Sequence, residues 1–228
     1  MLRLCVVALW FGLAGALSLS TPAAALQTAA FAEPLWGKSS FSAFERNPGR
    51  VRVTVYNIGG GLTDVLSTTC SKKLPMIPHV GVSLYGSEYF YSDVIERRPD
   101  AVMDEMLAAF PQISFDLGAP TVSEAELEDW LQSAELNSAW QPDDYNVFDH
   151  NCNHFAKIMS AKVSTKGLDA ALMDPVLAVT EEMLSELPEW RRSLGLSLMN
   201  QVTRLVVVSW GRATREKKER LAASAPAN

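Results

Sequence analysis

The sequence predicts an α+β domain in which a small antiparallel sheet packs against helices. Three observations predict it. Val51, Val53 and Val55 alternate with Arg52, Thr54 and Tyr56, the period-two pattern of a half-buried strand. Ser123 and Glu126 form a capping box ahead of Leu127, Trp130, Leu131 and Ala134, which repeat at helical spacing. A further helix is expected to start about Cys152, with Phe155, Ile158 and Met159 on its buried face.

The remaining elements fall between these. Gly59, Gly60 and Gly61 break the first strand. Residues 79 to 85 read as a second strand and 89 to 91 as a third, with Gly86 at the turn between them. Residues 92 to 111 carry Arg97, Arg98, Pro99 and Pro111 with little periodicity. They are expected to form a loop with one short helix near Met103 to Phe110. Residues 113 to 117 read as another strand, closed by Gly118 and Pro120. A Pro142-Asp143-Asp144 turn leads into Asn146 to Asn153.

Composition narrows the function. The chain has 228 residues, 20 Lys plus Arg and 26 Asp plus Glu, a net charge of −6 and a pI near 5.1. That balance argues against a nucleic-acid binder working by phosphate neutralisation. Three cysteines, at 5, 70 and 152, make neither a disulfide framework nor a four-cysteine zinc site. Residues 88 to 149 hold fifteen acids against two bases. This stretch reads as solvated acidic faces or as a rim that steers a basic partner.

The two ends read differently from the middle. Arg3 is the only charge before Glu33, residues 4 to 19 are almost wholly apolar, and Ala23 to Ala25 offer a signal-peptidase pattern. Residues 1–25 are therefore expected to be a secretory signal, and residues 26–49 a linker or transit segment. The Ala29-Ala30-Phe31-Ala32-Glu33-Pro34 stretch resembles the junction of a two-part plastid-targeting signal. The expected address is the secretory pathway or a plastid, with the cytoplasm or nucleus as the alternative. Residues 50–166 are expected to form the folded domain, and residues 167–228 a helical extension. In that extension Leu194, Leu198, Val202 and Leu205 share one stripe, and a basic end follows at Arg212 to Arg220. Such a helix can lie on an anionic membrane surface or simply dock on the domain.

Histidine is scarce, and two of the three, His150 and His154, flank Cys152 in His150-Asn151-Cys152-Asn153-His154-Phe155. A cysteine at a helix start feels the partial positive charge of unpaired backbone N–H groups, and a nearby imidazolium lowers its pKa further. Such a thiolate is a nucleophile that needs neither metal nor cofactor. A cysteine between two asparagines can equally serve as a helix cap. Zinc is disfavoured, because 152 points away from a face shared by 150 and 154 and no second cluster completes the set. Asn151 and Asn153 are expected to hold the turn and cap the helix, or to support an oxyanion. His150 is expected to be exposed, and His154 to pack or hydrogen-bond. Cys70, beside Lys72 and Lys73, reads as an incidental loop thiol.

Taken together the motifs resemble the PPPDE domain, a family of papain-like cysteine isopeptidases that includes deSUMOylating and deubiquitinating enzymes. The resemblance rests on Val55-Tyr56-Asn57-Ile58, His79-Val80-Gly81-Val82 and Glu88-Tyr89-Phe90-Tyr91. It continues with Leu117-Gly118-Ala119-Pro120-Thr121 and with Asn151-Cys152-Asn153-His154-Phe155 after Tyr145 to Phe148. Departures are Asn57 for the usual Asp, Asp93-Val94-Ile95 after the third strand, and Ala119-Pro120 in the turn.

The resemblance implies a permuted papain-like fold with the His strand before the Cys helix. It implies a Cys152/His79 dyad acting without cofactor or metal through an acyl-enzyme, with the Cys152 backbone N–H as an oxyanion donor. It implies ubiquitin-like (SUMO or ubiquitin) conjugates as partners, and it allows a homodimer. Two alternatives stand beside it. Lecithin retinol acyltransferase-like enzymes share the strand His and the Asn-Cys-x-His-Phe helix, but move acyl groups from phospholipids. A non-catalytic binding module is the other alternative.

Overall fold

The computed structural model describes residues 46–58, 76–108, 110–147, 149–168 and 200–201. Five strands form one antiparallel sheet: β1 (Val51–Asn57), β2 (Pro78–Leu84), β3 (Ser87–Tyr91), β4 (Ile95–Pro99) and β5 (Gln112–Gly118). Their order is β4-β3-β2-β1-β5, so β1 and β2 are central. Among the described residues they are accompanied by helices α1 (Asp100–Leu107), α2 (Glu124–Leu131), α3 (Ala134–Ala139) and α4 (Cys152–Val163).

Strand alternation sorts the side chains onto two faces. Val51, Val53, Val55, Val80, Val82 and Leu84 face one way and are buried with Phe155, Ala156, Met159 and Val163 of α4. Tyr56 and Phe90 face the other way and are buried with Met103 and Leu107 of α1. The sheet is therefore covered on both sides, and α4 lies across β2, β3 and β1. Removing each large apolar side chain from water contributes about 1.5–3 kcal/mol, so the α4 face is the main anchor of the helix that begins at Cys152. Two expectations about this helix diverge. It does start at Cys152, but Ile158 is exposed. At 158 the helix has turned away from the sheet, and Ala156 and Met159 take the inward positions.

The β2–β3 hairpin turns on Tyr85 and Gly86, both with positive φ, at 54° and 73°. Two such residues make the turn whose twist matches paired strands. Tyr85 tolerates the left-handed region while its hydroxyl donates to the Val122 carbonyl, which ties the hairpin to the segment before α2.

Residues 92 to 111 are more ordered than expected. They hold an entire edge strand, β4, and α1 begins immediately after it at Asp100 rather than near Met103. Alternation in β4 runs through charges: Glu96 and Arg98 are buried as an ion pair, and Arg97 is exposed. The expected helix after Ser123 is split. Its capping box is present, with the Glu126 N–H donating to Ser123 Oγ at 3.2 Å and the Ser123 N–H to Glu126 Oε2 at 2.7 Å. The helix stops at Leu131, because Ser133 accepts the Leu136 N–H at 3.3 Å and starts α3. The acidic stretch is also partly internal: Glu88 and Glu96 are buried, and Arg97 pairs with Glu124 and Glu128. No described helix is long and apolar enough to cross a membrane. The expected signal, the Cys70 loop and nearly all of the extension lie outside the described residues.

Candidate active site

Asn146 and His150 exchange backbone hydrogen bonds at 2.9 and 3.0 Å, closing a small loop just before α4. Asn151 then caps the helix. Its Oδ1 accepts the N–H of Asn153 at 2.8 Å and of His154 at 3.4 Å, and its Nδ2 donates to the Val147 carbonyl at 2.7 Å. One side chain thus satisfies two of the N–H groups that a helix start leaves orphaned. Asn151 acts as the cap expected of it. Asn153 does something further: its Oδ1 lies 3.7 Å from the Cys152 sulfur and accepts the thiol hydrogen.

Cys152 is the first residue of α4 and is 5% exposed. The backbone N–H groups of Val80, Asn153 and Cys152 itself stand near its sulfur and favour its ionised form. The Val80 contact brings the thiol to β2, one residue past His79. His79, the second residue of β2, is 6% exposed. Its imidazole stacks on Tyr56, its cross-strand neighbour, with ring centroids 5.9 Å apart, and meets the edge of Phe90 at 5.1 Å.

Burial sets the resting protonation of both groups. It pushes the Cys152 thiol up to about 11 and the His79 imidazole down to about 4. The three N–H groups at the sulfur pull the other way, but desolvation outweighs them. The expectation of a lowered thiol pKa is thereby corrected: at neutral pH both groups are uncharged. Tyr145 is buried beside this site, and burial first, then the charge of an ionised Cys152, hold its hydroxyl well above the usual phenol range.

The other histidines are taken up elsewhere. His150 is half-buried rather than exposed, stacking on Trp140 at 4.0 Å with Nε2 2.8 Å from the Ala139 carbonyl. His154 Nδ1 lies 3.1 Å from Asn151 Oδ1, the hydrogen-bonding role expected of it. Among the described residues no three His, Cys, Asp or Glu side chains gather as a metal site would require. The sequence alone assigned no role at the site to Tyr56, Glu88 or Tyr145. The alternation of β1 and β3 was the available signal that the first two share a face with His79.

The family model described as "PPPDE putative peptidase domain" matches residues 49–187, well over half of the chain. The chain belongs to the PPPDE family. That span takes in β1 to β5, α1 to α4, and both Cys152 and His79. Among curated proteins, desumoylating isopeptidase 1 of Xenopus laevis is 27% identical over 128 residues, covering 56% of this chain and 74% of that protein. Desumoylating isopeptidase 1 of Homo sapiens is 27% identical over 126 residues, covering 54% and 73%.

Proposed function

We propose that this PPPDE chain is a cysteine isopeptidase that cleaves ubiquitin-like conjugates, with Cys152 as nucleophile and His79 as its proton acceptor. The observation that carries the reading is the meeting of the Cys152 sulfur with the Val80 N–H, at the head of a capped helix and next to His79. The desumoylating isopeptidases among its relatives support the substrate class. On this reading the domain is a permuted papain-like one, with the strand histidine ahead of the helix cysteine.

The chemistry follows from two uncharged partners. As the isopeptide carbonyl arrives, the sulfur attacks its carbon while the thiol proton passes to His79, so charge develops only when substrate is present. The backbone N–H of Cys152, not engaged by the helix, donates to the oxyanion. His79 returns the proton to the departing lysine amine, leaving a thioester on Cys152. Water, deprotonated by His79, releases the modifier's carboxylate and restores the thiol.

The test is a panel of C-terminally electrophilic SUMO and ubiquitin probes and a phospholipid-like acyl probe. Labelling of Cys152 by a modifier probe, lost in Cys152→Ser and His79→Ala, is the expected result. Labelling by the lipid-like probe alone transfers the dyad to acyl transfer from lipids. Fusing residues 1–50 to a fluorescent protein tests the address: organelle import is expected, and a diffuse cytosolic signal overturns it.

A further inference from the structure

The face of the sheet that carries His79 is built around a buried carboxylate. Glu88 has no exposed surface. Its Oε2 accepts from the Tyr56 hydroxyl at 2.7 Å and from Ser83 Oγ at 3.3 Å, and Arg46 Nη2 stands 3.6 Å away. Arg46 is itself held by Asp100 and Asp104 of α1. Gly81, between His79 and Ser83 on the same face of β2, leaves the space the carboxylate occupies. A Cβ there would stand 2.7 Å from Cγ of Glu88 and closer still to its carboxyl group. β1, β2, β3 and α1 all contribute to this arrangement.

A carboxylate wholly removed from water is costly to bury, so general stability does not account for it. Its best-made bond runs to Tyr56, and the ring of Tyr56 stacks on the imidazole of His79. Phe90 closes the other side of that imidazole edge-on. The hydroxyl lies on the ring's own rotation axis, so the tether fixes where the Tyr56 ring sits; the imidazole packs on it at an interplanar angle of 26°, with Phe90 edge-on at 81°.

We propose that Tyr56 and Glu88 are positioning residues that together hold the His79 imidazole in place, so that its proton-accepting nitrogen is presented to Cys152. The inference rests on the isopeptidase reading above for what the imidazole does, and on the ring geometry alone for how it is held. Gly81 belongs to the same device, because it admits the carboxylate that tethers Tyr56.

Three variants of the full chain test this: Tyr56→Phe keeps the stacked ring and loses the tether, Glu88→Gln keeps an acceptor oxygen, and Glu88→Ala removes it. Having only three histidines, the protein allows the His79 ring nitrogens to be followed directly by 15N-labelled imidazole spectra at pH 7. We expect Tyr56→Phe and Glu88→Ala to shift the His79 resonances and lower kcat on a cleavable modifier substrate about tenfold, with KM unchanged. Glu88→Gln should retain most of the wild-type rate. Unchanged His79 resonances in Tyr56→Phe, or a loss in Glu88→Gln equal to that in Glu88→Ala, overturns the inference. If the wild-type chain cleaves no conjugate, the isopeptidase reading fails, and the His79 resonances still decide whether the brace exists.

Discussion

The side-chain oxygen of Asn200 accepts the backbone N–H of Val147 at 2.8 Å. Val147 in turn offers its carbonyl to Asn151, and Asn151 caps the helix that begins at Cys152. A residue beyond the family-matched span, 49–187, thus braces the loop on which the candidate nucleophile stands. Asn200→Ala should cost about 1 kcal/mol of stability, the usual return for one hydrogen bond. It should also speed alkylation of Cys152 by a bulky maleimide, followed by peptide mass spectrometry. Equal stability and equal alkylation would mean that the contact does not support the loop.

Asn151 itself carries more. Replacing it by alanine strips the helix start of its cap and frees the Val147 carbonyl, so Asn151→Ala should destabilise the domain by about 1–2 kcal/mol. Urea denaturation measures this. Asn151→Ser, which retains a capping oxygen, should recover most of the loss.

The resting thiol should behave as a buried, protonated one. With Cys152 pushed to about 11 and His79 down to about 4, alkylation of Cys152 in the substrate-free protein should climb steadily between about pH 7 and 10. A rate that levels off below pH 7 would instead reveal a preformed thiolate–imidazolium pair.

His79 also links stability to pH. Its folded-state pKa, about 4, lies below the unfolded value of about 6.5. Between these the unfolded chain binds the extra proton, so stability is held above pH 6.5 and lost as pH falls toward 4. From pH 7.5 to pH 5 the loss should be about 2 kcal/mol. His79→Phe, which keeps a ring between Tyr56 and Phe90, should lose that much less across the same interval in urea melts. An equal pH dependence in both proteins would show that His79 is solvated in solution.

Sequence legibility followed burial of apolar residues. β1, β2, β3 and β5 announce themselves through Val, Tyr and Phe alternation, and the Ser123 box marks α2 to the residue. β4 does not, since its inward positions are Glu96 and Arg98 and it ends at Pro99. Such charge is how an edge strand discourages further pairing, and it hides the strand from a hydrophobic pattern. At the site, the position of Cys152 at a helix start was readable from Asn151 and the residues after it. The direction of its pKa shift was not, because spacing reports which N–H groups are near but not how completely water is excluded.

The fit between Gly81 and Glu88 constrains how this family member can diverge. Gly81→Ala alone should cost about 1–3 kcal/mol by overpacking, while in a Glu88→Ala background the added methyl has room and the penalty should shrink. A side chain at 81 is therefore accommodated at lower cost once the carboxylate at 88 is gone. The two sites are thus coupled, and the order of substitution decides how large a penalty the chain carries between them.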